Sequence, residues 1–523
     1  MIVDLRKDAL PPLPEDAVCI IGAGIVGLSL ACRLRELGSP VILLERGGPY
    51  PSQANVAKGI EKTKTQYSGA HKGRAFGLGG TSGLWGGQLA AATTDERLAR
   101  PWVGMPPWDI PAAEIDDAYN RAAEWLRVPA SIVKPQSGAD SPHGKLGRHF
   151  LRRHVFALPF RNRNFTARSR ARLESDDGLV LLLNADVSSF ATSSLDDTRK
   201  VISVQVDLNG LPLAITAAVF VICAGAIEST RLLLHAAGDH PTRLGEGFRD
   251  HVSLPAGKFH VRDRNAFLDC IAPRFEAGGI VHPRFELSAA AQAEYRLPAA
   301  FVHVVAISDG KTALDAIRRF LSILQKRQGG IGEFLREGLA MFAAAPDFAR
   351  IVCWRAFRRK LYYPRGHDFV LQVDLEQPPA GVNRLYLGGP DEAGLGKCRI
   401  DWQLGQQDID HANLAASLFA ADWNSNSGKL AIVTPEPIEL KICRESEAAF
   451  DVYHPVGSTA FGRDPAAFSV DTGMGVRGFS NLYTVSTGVL PSSGAANPTF
   501  TAIALALRLA DTVLGPRCRE ARR

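Results

Sequence analysis

The sequence predicts an α/β fold with a parallel sheet in its N-terminal part, joined to an α+β part built on an antiparallel sheet. Three observations carry that expectation. A glycine-punctuated passage links two apolar strands near the N-terminus, a second glycine-rich segment follows it, and apolar and polar residues alternate between about 255 and 450. At 523 residues the chain exceeds what one hydrophobic core usually supports, so two or more domains are expected. With 46% hydrophobic and 22% charged residues the composition is that of a globular protein. Lys+Arg 60 against Asp+Glu 54 leaves a net charge of +6, too mild an excess to hold nucleic acid.

The first passage reads AVCIIGAGIVGLSLACRLRELGSPVILLERGG. An apolar strand runs into Gly22, Ala23, Gly24, Ile25, Val26 and Gly27, a helix-period segment follows, and Glu45 ends the returning strand. This is the strand, turn and helix context that a dinucleotide fingerprint requires, with the acidic residue near its ribose-binding place. Gly22 makes the tight turn, Gly24 lets the backbone approach a pyrophosphate, and Gly27 allows helix and strand to pack closely. The fold expected here is Rossmann-like. The motif alone does not separate a flavin from a nicotinamide.

The second segment, GRAFGLGGTSGLWGGQLAAAT, crowds glycines around Thr81, Ser82 and Trp85. Such a run describes backbone packed against something flat, or positive φ at several points, and not a helix or strand interior. Its core, GLGGTSGLWGG, resembles the flavin-contacting segment of the glucose–methanol–choline (GMC) oxidoreductases, above all the variant of their sugar-oxidising branches. The resemblance implies a Rossmann-like FAD-binding domain of GMC type with an α+β substrate domain on an antiparallel sheet. It puts Gly80, Thr81, Ser82, Leu84, Trp85 and Gly86 at the cofactor. Some members carry a histidine just before the tryptophan, bonded covalently to the flavin; here that residue is Leu84, so the resemblance implies non-covalent FAD.

Further segments are similar to the same family. AAVFVICAGAIESTRLLLHAAG matches its strand-to-helix return, with Ala224 and Gly225 at the turn. LVLLLNADVSSF matches a strand and turn whose backbone, near Val187, meets the adenine, and LGEGFRDHVS matches the segment leading into the substrate domain, with Asp250 and His251. VYHPVGSTAFG aligns His454 with the family's catalytic histidine. PSSGAANPTFT aligns Asn497 with its second polar residue and puts Pro498 and Thr499 at the cofactor, where the following helix would favour an anionic reduced flavin. Asp471 matches a carboxylate near the cofactor and reads equally as a plain turn residue.

The chemistry accounts for that pair. Oxidising an alcohol requires a proton to leave oxygen while a hydride leaves carbon. A neutral imidazole at His454 takes the proton, and the Asn497 amide orients the oxygen. The domains expected are residues 1–254, interrupted by flavin-contacting and cap segments around 60–165, then 255–450 for the substrate, and 451–523 returning to the FAD domain.

Within 255–450, Gln377 in DLEQPPAGVNRLYL resembles a pocket residue of sugar-acting members and is expected to touch substrate. The stretch 311–365 reads as basic amphipathic helices, which either cover a core or contact a membrane surface or partner. Eight scattered cysteines lack CxxC pairs or a matching histidine spacing, so no metal site is expected. The N-terminus lacks the pattern of a signal peptide, which makes a cytoplasmic enzyme the expectation. The partners implied are a small-molecule alcohol, a sugar, glycoside or polyol, and oxygen or an external electron acceptor. A sterol or lipid alcohol, lyase or isomerase chemistry on the same scaffold, and a non-enzymatic flavin-binding role are the alternatives.

Overall fold

The structure is a computed structural model. It describes the chain except residues 15, 62–66, 135–144, 196–197, 209–210, 241, 311, 318, 320–344, 380, 392–393, 446–449 and 516–523. Six strands form one all-parallel sheet in the order Ile2–Asp4, Leu179–Leu183, Val41–Glu45, Val18–Ile21, Val219–Ile222 and Leu482–Thr484. The central strands are near-continuous apolar runs because a parallel sheet is covered on both faces. Val18, Ile20, Val41 and Leu43 enter one core, with helices Ile25–Glu36 and Thr499–Leu509. Their neighbours Cys19, Ile21, Ile42 and Leu44 enter another, beneath helix Gly225–Ala237 and a three-stranded antiparallel sheet. Alternate side chains of a strand point to opposite faces, so one tetrapeptide seeds two cores.

A second sheet of eight strands is antiparallel. It runs Ala431–Pro435, His251–Val261, His367–Glu376, Ala300–Ser308, Gly279–Leu287, Phe150–Ala157 and Gln88–Leu89, with Arg274–Glu276 paired beside Gly279–Leu287. Two of its strands thus come from well before residue 255, because strands distant in the chain can pair wherever the register suits them. Leu371, Val373 and Leu375 point into a core with Phe419 and Trp423 of helix Gln406–Ser427, whose rings stack 5.8 Å apart. Asp374, on the opposite face of that strand, lines a cavity between the two sheets.

Of the stretch 311–365, helix Ala345–Cys353 and residues on either side are described, and 320–344 lie outside the described residues. Among the described residues no helix is long and apolar enough to cross a membrane.

Candidate active site

The cavity measures about 630 Å³ and brings together segments from the whole length of the chain. Gly22, Gly24 and Glu45 line one end, Val187, Ala224 and Gly225 lie nearby, and Gly80, Thr81, Ser82, Leu84, Trp85 and Gly86 line it from the second glycine segment. His454, Asn497 and Thr499 line it as well. Gly27 and Pro498, both buried, are not among the lining residues.

The glycines divide into two kinds. A Cβ on Gly22 would lie 2.7 Å from the Cys223 carbonyl, and one on Gly27 would lie 2.0 Å from that of Gly22. These two glycines let backbone pack on backbone. A Cβ on Gly24, Gly86 or Gly225 would meet no protein atom within 4 Å and would project into open space at the cavity wall. That is the form of a cradle for a ligand laid directly on the main chain, and the N-termini of helices Ile25–Glu36 and Gly225–Ala237 open beside it. The residues fit an elongated, anionic dinucleotide. Glu45 is also a tie between the glycine segments, its carboxylate accepting from Ala23 N, Gly47 N and Gly77 N at 3.0, 2.9 and 2.7 Å. Burial raises its pKa, against those three donors.

Asn497 and His454 are 43 residues apart in the chain, yet Asn497 Nδ2 lies 2.9 Å from His454 Nε2. Each is held by a different device. The loop before Asn497 hangs from two buried carboxylates: Glu376 accepts from Ser493 N and Gly494 N at 2.8 and 2.9 Å, and Glu96 accepts from Ala495 N at 2.5 Å. Glu376 is itself paired with Arg100 at 2.5 Å. His454 follows Tyr453, which sits at φ 65° in the left-handed region, and its backbone N–H donates 2.9 Å to the Asp250 carboxylate. Strain of that kind at a non-glycine residue is found where a neighbouring side chain must be aimed.

The next residue, His251, settles which nitrogen of His454 carries the proton. His251 Nε2 lies 2.7 Å from the Gly494 carbonyl, an acceptor only, so Nε2 carries a hydrogen and Nδ1 is the nitrogen left to accept. His251 Nδ1 in turn lies 3.1 Å from His454 Nδ1, which must therefore donate. The lone pair of His454 falls on Nε2, where the Asn497 amide donates to it. Burial, with the His251 ring beside it, pushes the pKa of His454 down to about 3, against a pull upward from Asp374. Asp250, which anchors both histidines through their backbone, is raised to about 8 by burial and by Asp451.

Gln377 stands elsewhere, which corrects the expectation of a substrate contact. It is 2% exposed, donates to the Gln403 carbonyl and Asp408 at 3.0 Å each, and accepts from Trp402 Nε1 at 2.9 Å. The residue falls just past the end of its strand and turns into the core, where all its hydrogen bonds are met. Asp471 accepts from Gly473 N and Gly475 N at 2.8 Å and serves its own turn away from the cavity. Among the cavity residues that sequence patterns did not single out are Ser253, Arg284, Phe301, His303 and Asp374, carried on four strands of the antiparallel sheet. Strand alternation was the available signal, but it does not say which face meets the cavity.

The fold and this constellation are those that an FAD-dependent oxidoreductase acting on CH–OH donors requires. Residues 379–506, about a quarter of the chain, match the family described as GMC oxidoreductase. The crystal structure of pyridoxine 4-oxidase from Mesorbium loti shares the fold, with a TM-score of 0.54, 16% sequence identity, and coverage of 96% of this chain and 99% of that one. No curated protein sequence matches the chain.

Proposed function

We propose that the chain oxidises an alcohol group of a small polar molecule, a sugar, glycoside or related polyol, to a carbonyl, with His454 as proton acceptor and Asn497 as its partner. The observation that carries this reading is the 2.9 Å contact between Asn497 Nδ2 and His454 Nε2 inside a cavity lined by both glycine segments. FAD, bound non-covalently because Leu84 offers no nucleophile, supplies the two-electron acceptor for the hydride.

A substrate hydroxyl entering between the two side chains would give its proton to His454 Nε2 and accept the Asn497 N–H at its oxygen. His251 keeps the accepting lone pair on Nε2, and the depressed pKa keeps the ring neutral until the proton arrives. The polar face of the antiparallel sheet, with Ser253 and His303, supplies hydrogen-bonding groups suited to a hydroxyl-rich substrate. That polarity favours sugars and polyols over sterol or lipid alcohols.

The test is to purify the yellow protein, denature it and look for free FAD, then screen alcohols for bleaching of the flavin without oxygen. Bleaching by polyols that is lost in His454→Ala supports the reading. A colourless protein, or bleaching unaffected by the substitution, refutes it.

A further inference from the structure

Beside the histidine pair lies a charged cluster for which alcohol oxidation as such has no use. Ser253, Asp374, His303 and Arg284 all line the cavity, from strands His251–Val261, His367–Glu376, Ala300–Ser308 and Gly279–Leu287. His251 and Ser253 share one face of their strand, and Ser253 is the register partner of Asp374, so the cluster continues directly from the candidate catalytic pair. His454 feels the charge of Asp374.

Within the cluster the partners are unequally shared. Asp374 takes the Ser253 hydroxyl and lies 3.2 Å from His303 Nδ1. Although burial acts to raise it, His303, Arg284 and that hydroxyl hold Asp374 well below the usual carboxylate range, so it is an anion. Arg284 donates no hydrogen bond and sits in no ion pair among the described residues. The groups that act electrostatically on it are Asp374 and the Tyr363 phenol. Burial and the Arg284 charge lower the pKa of His303 against an upward pull from Asp374, and burial with Arg284 and Arg163 lowers that of His282 to about 4. Arg163, which acts on His282, spends its Nε on the Leu158 carbonyl. The Arg284 guanidinium therefore faces one carboxylate that already takes a serine hydroxyl and lies beside a histidine. A guanidinium stays charged even where burial lowers its pKa, and its planar fork fits two oxygens of an oxyanion.

We propose that Arg284 is an anion-binding residue of the substrate cavity, and that the alcohol oxidised here carries a carboxylate or phosphate group that its guanidinium grips. This deepens the alcohol-oxidation reading and rests on it. The substrate class becomes a hydroxy acid or a phosphorylated polyol in place of a neutral sugar. The charge of Asp374 repels a second anionic group, so one oxyanion per substrate is expected.

The test uses the FAD-loaded enzyme and two matched pairs, D-gluconate against D-glucitol and D-glucose 6-phosphate against D-glucose, each titrated by calorimetry at low and high salt. The wild type is expected to bind the charged member of one pair about 10- to 100-fold more tightly than its neutral partner, the range set by a charge-assisted hydrogen-bonded contact. The carboxylate pair responding identifies a hydroxy acid, and the phosphate pair a phosphorylated alcohol. Arg284→Met should erase the preference with flavin content unchanged, and Arg284→Lys, which keeps charge and bulk, should retain part of it. Equal affinity within both pairs in the wild type, including no binding by any member, overturns the proposal. So does a preference that survives in Arg284→Met, or loss of flavin in both Arg284 variants, which would assign the residue to the cofactor. His454→Ala should still bind the anion. Full turnover in that variant would sink the alcohol-oxidation reading while leaving the anion measurement intact.

Discussion

Replacing His251 by leucine removes the acceptor that holds the proton on His454 Nδ1, without touching the lone pair at Nε2 directly. Two costs follow. A net hydrogen bond of about 1 kcal/mol no longer biases the tautomer, and a buried ring N–H left without an acceptor costs about 1–3 kcal/mol unless the proton moves to Nε2. Each 1.36 kcal/mol is about tenfold in rate, so the limiting rate of flavin reduction should fall about 10- to 100-fold, with KM little changed because His251 reaches the substrate only through His454. His251→Asn offers an amide oxygen to the same N–H and should recover part of the loss. Stopped-flow reduction without oxygen reads the rate, and ¹⁵N imidazole shifts of His454 read the tautomer. A leucine variant within twofold of wild type and with unchanged shifts would refute the chain of donors from Gly494 to His454, as would an asparagine variant no better than leucine.

The remaining predictions concern the base, the cofactor cradle and acid stability. His454→Ala should lower the reduction rate by about 10²–10⁴-fold while the protein stays yellow, measured in the same stopped-flow assay. Gly24→Ala should weaken FAD binding yet leave the melting temperature of the flavin-free protein close to that of wild type, because its Cβ meets no protein atom. Gly27→Ala, whose Cβ would lie 2.0 Å from the Gly22 carbonyl, should lower that melting temperature sharply. Denaturation in acid should leave all flavin in the supernatant, since Leu84 cannot bond to it. His454 and His282 are depressed to about 3 and about 4 from an ordinary 6.5, so the unfolded chain binds more protons in that window. The contribution of these two rings is therefore full above pH 6.5 and lost as pH falls below it, by on the order of 1 kcal/mol per pH unit for each ring, while Asp250, raised to about 8, acts in the opposite sense. A His282→Leu variant whose denaturant midpoint changes with pH between 7 and 5 in the same way as that of wild type would contradict this.

The two glycine segments could be read from the chain because each is contiguous: turn chemistry and close backbone approach are fixed by the absence of side chains within a few residues. Glu45 could be found but only half understood, since its bond to Gly77 crosses from one segment to the other. Gln377 misled for a related reason. Its place in the pocket was expected from a resemblance to sugar-acting members, but Gln377 lies beyond the last paired residue of His367–Glu376, where the strand no longer fixes the direction of its side chain.

Sequence by itself determined the parallel sheet and its fingerprint turn, because strand periodicity and glycine spacing are local properties, whereas His454 and Asn497 were picked out by their resemblance to family segments. Tertiary structure alone decided that His251, 203 residues from His454, sets its tautomer, and that Arg284 faces the same cavity. Those relations depend on strand register and on which face of a sheet is covered. Both are fixed by packing between distant parts of the chain, a balance that no short stretch of sequence contains.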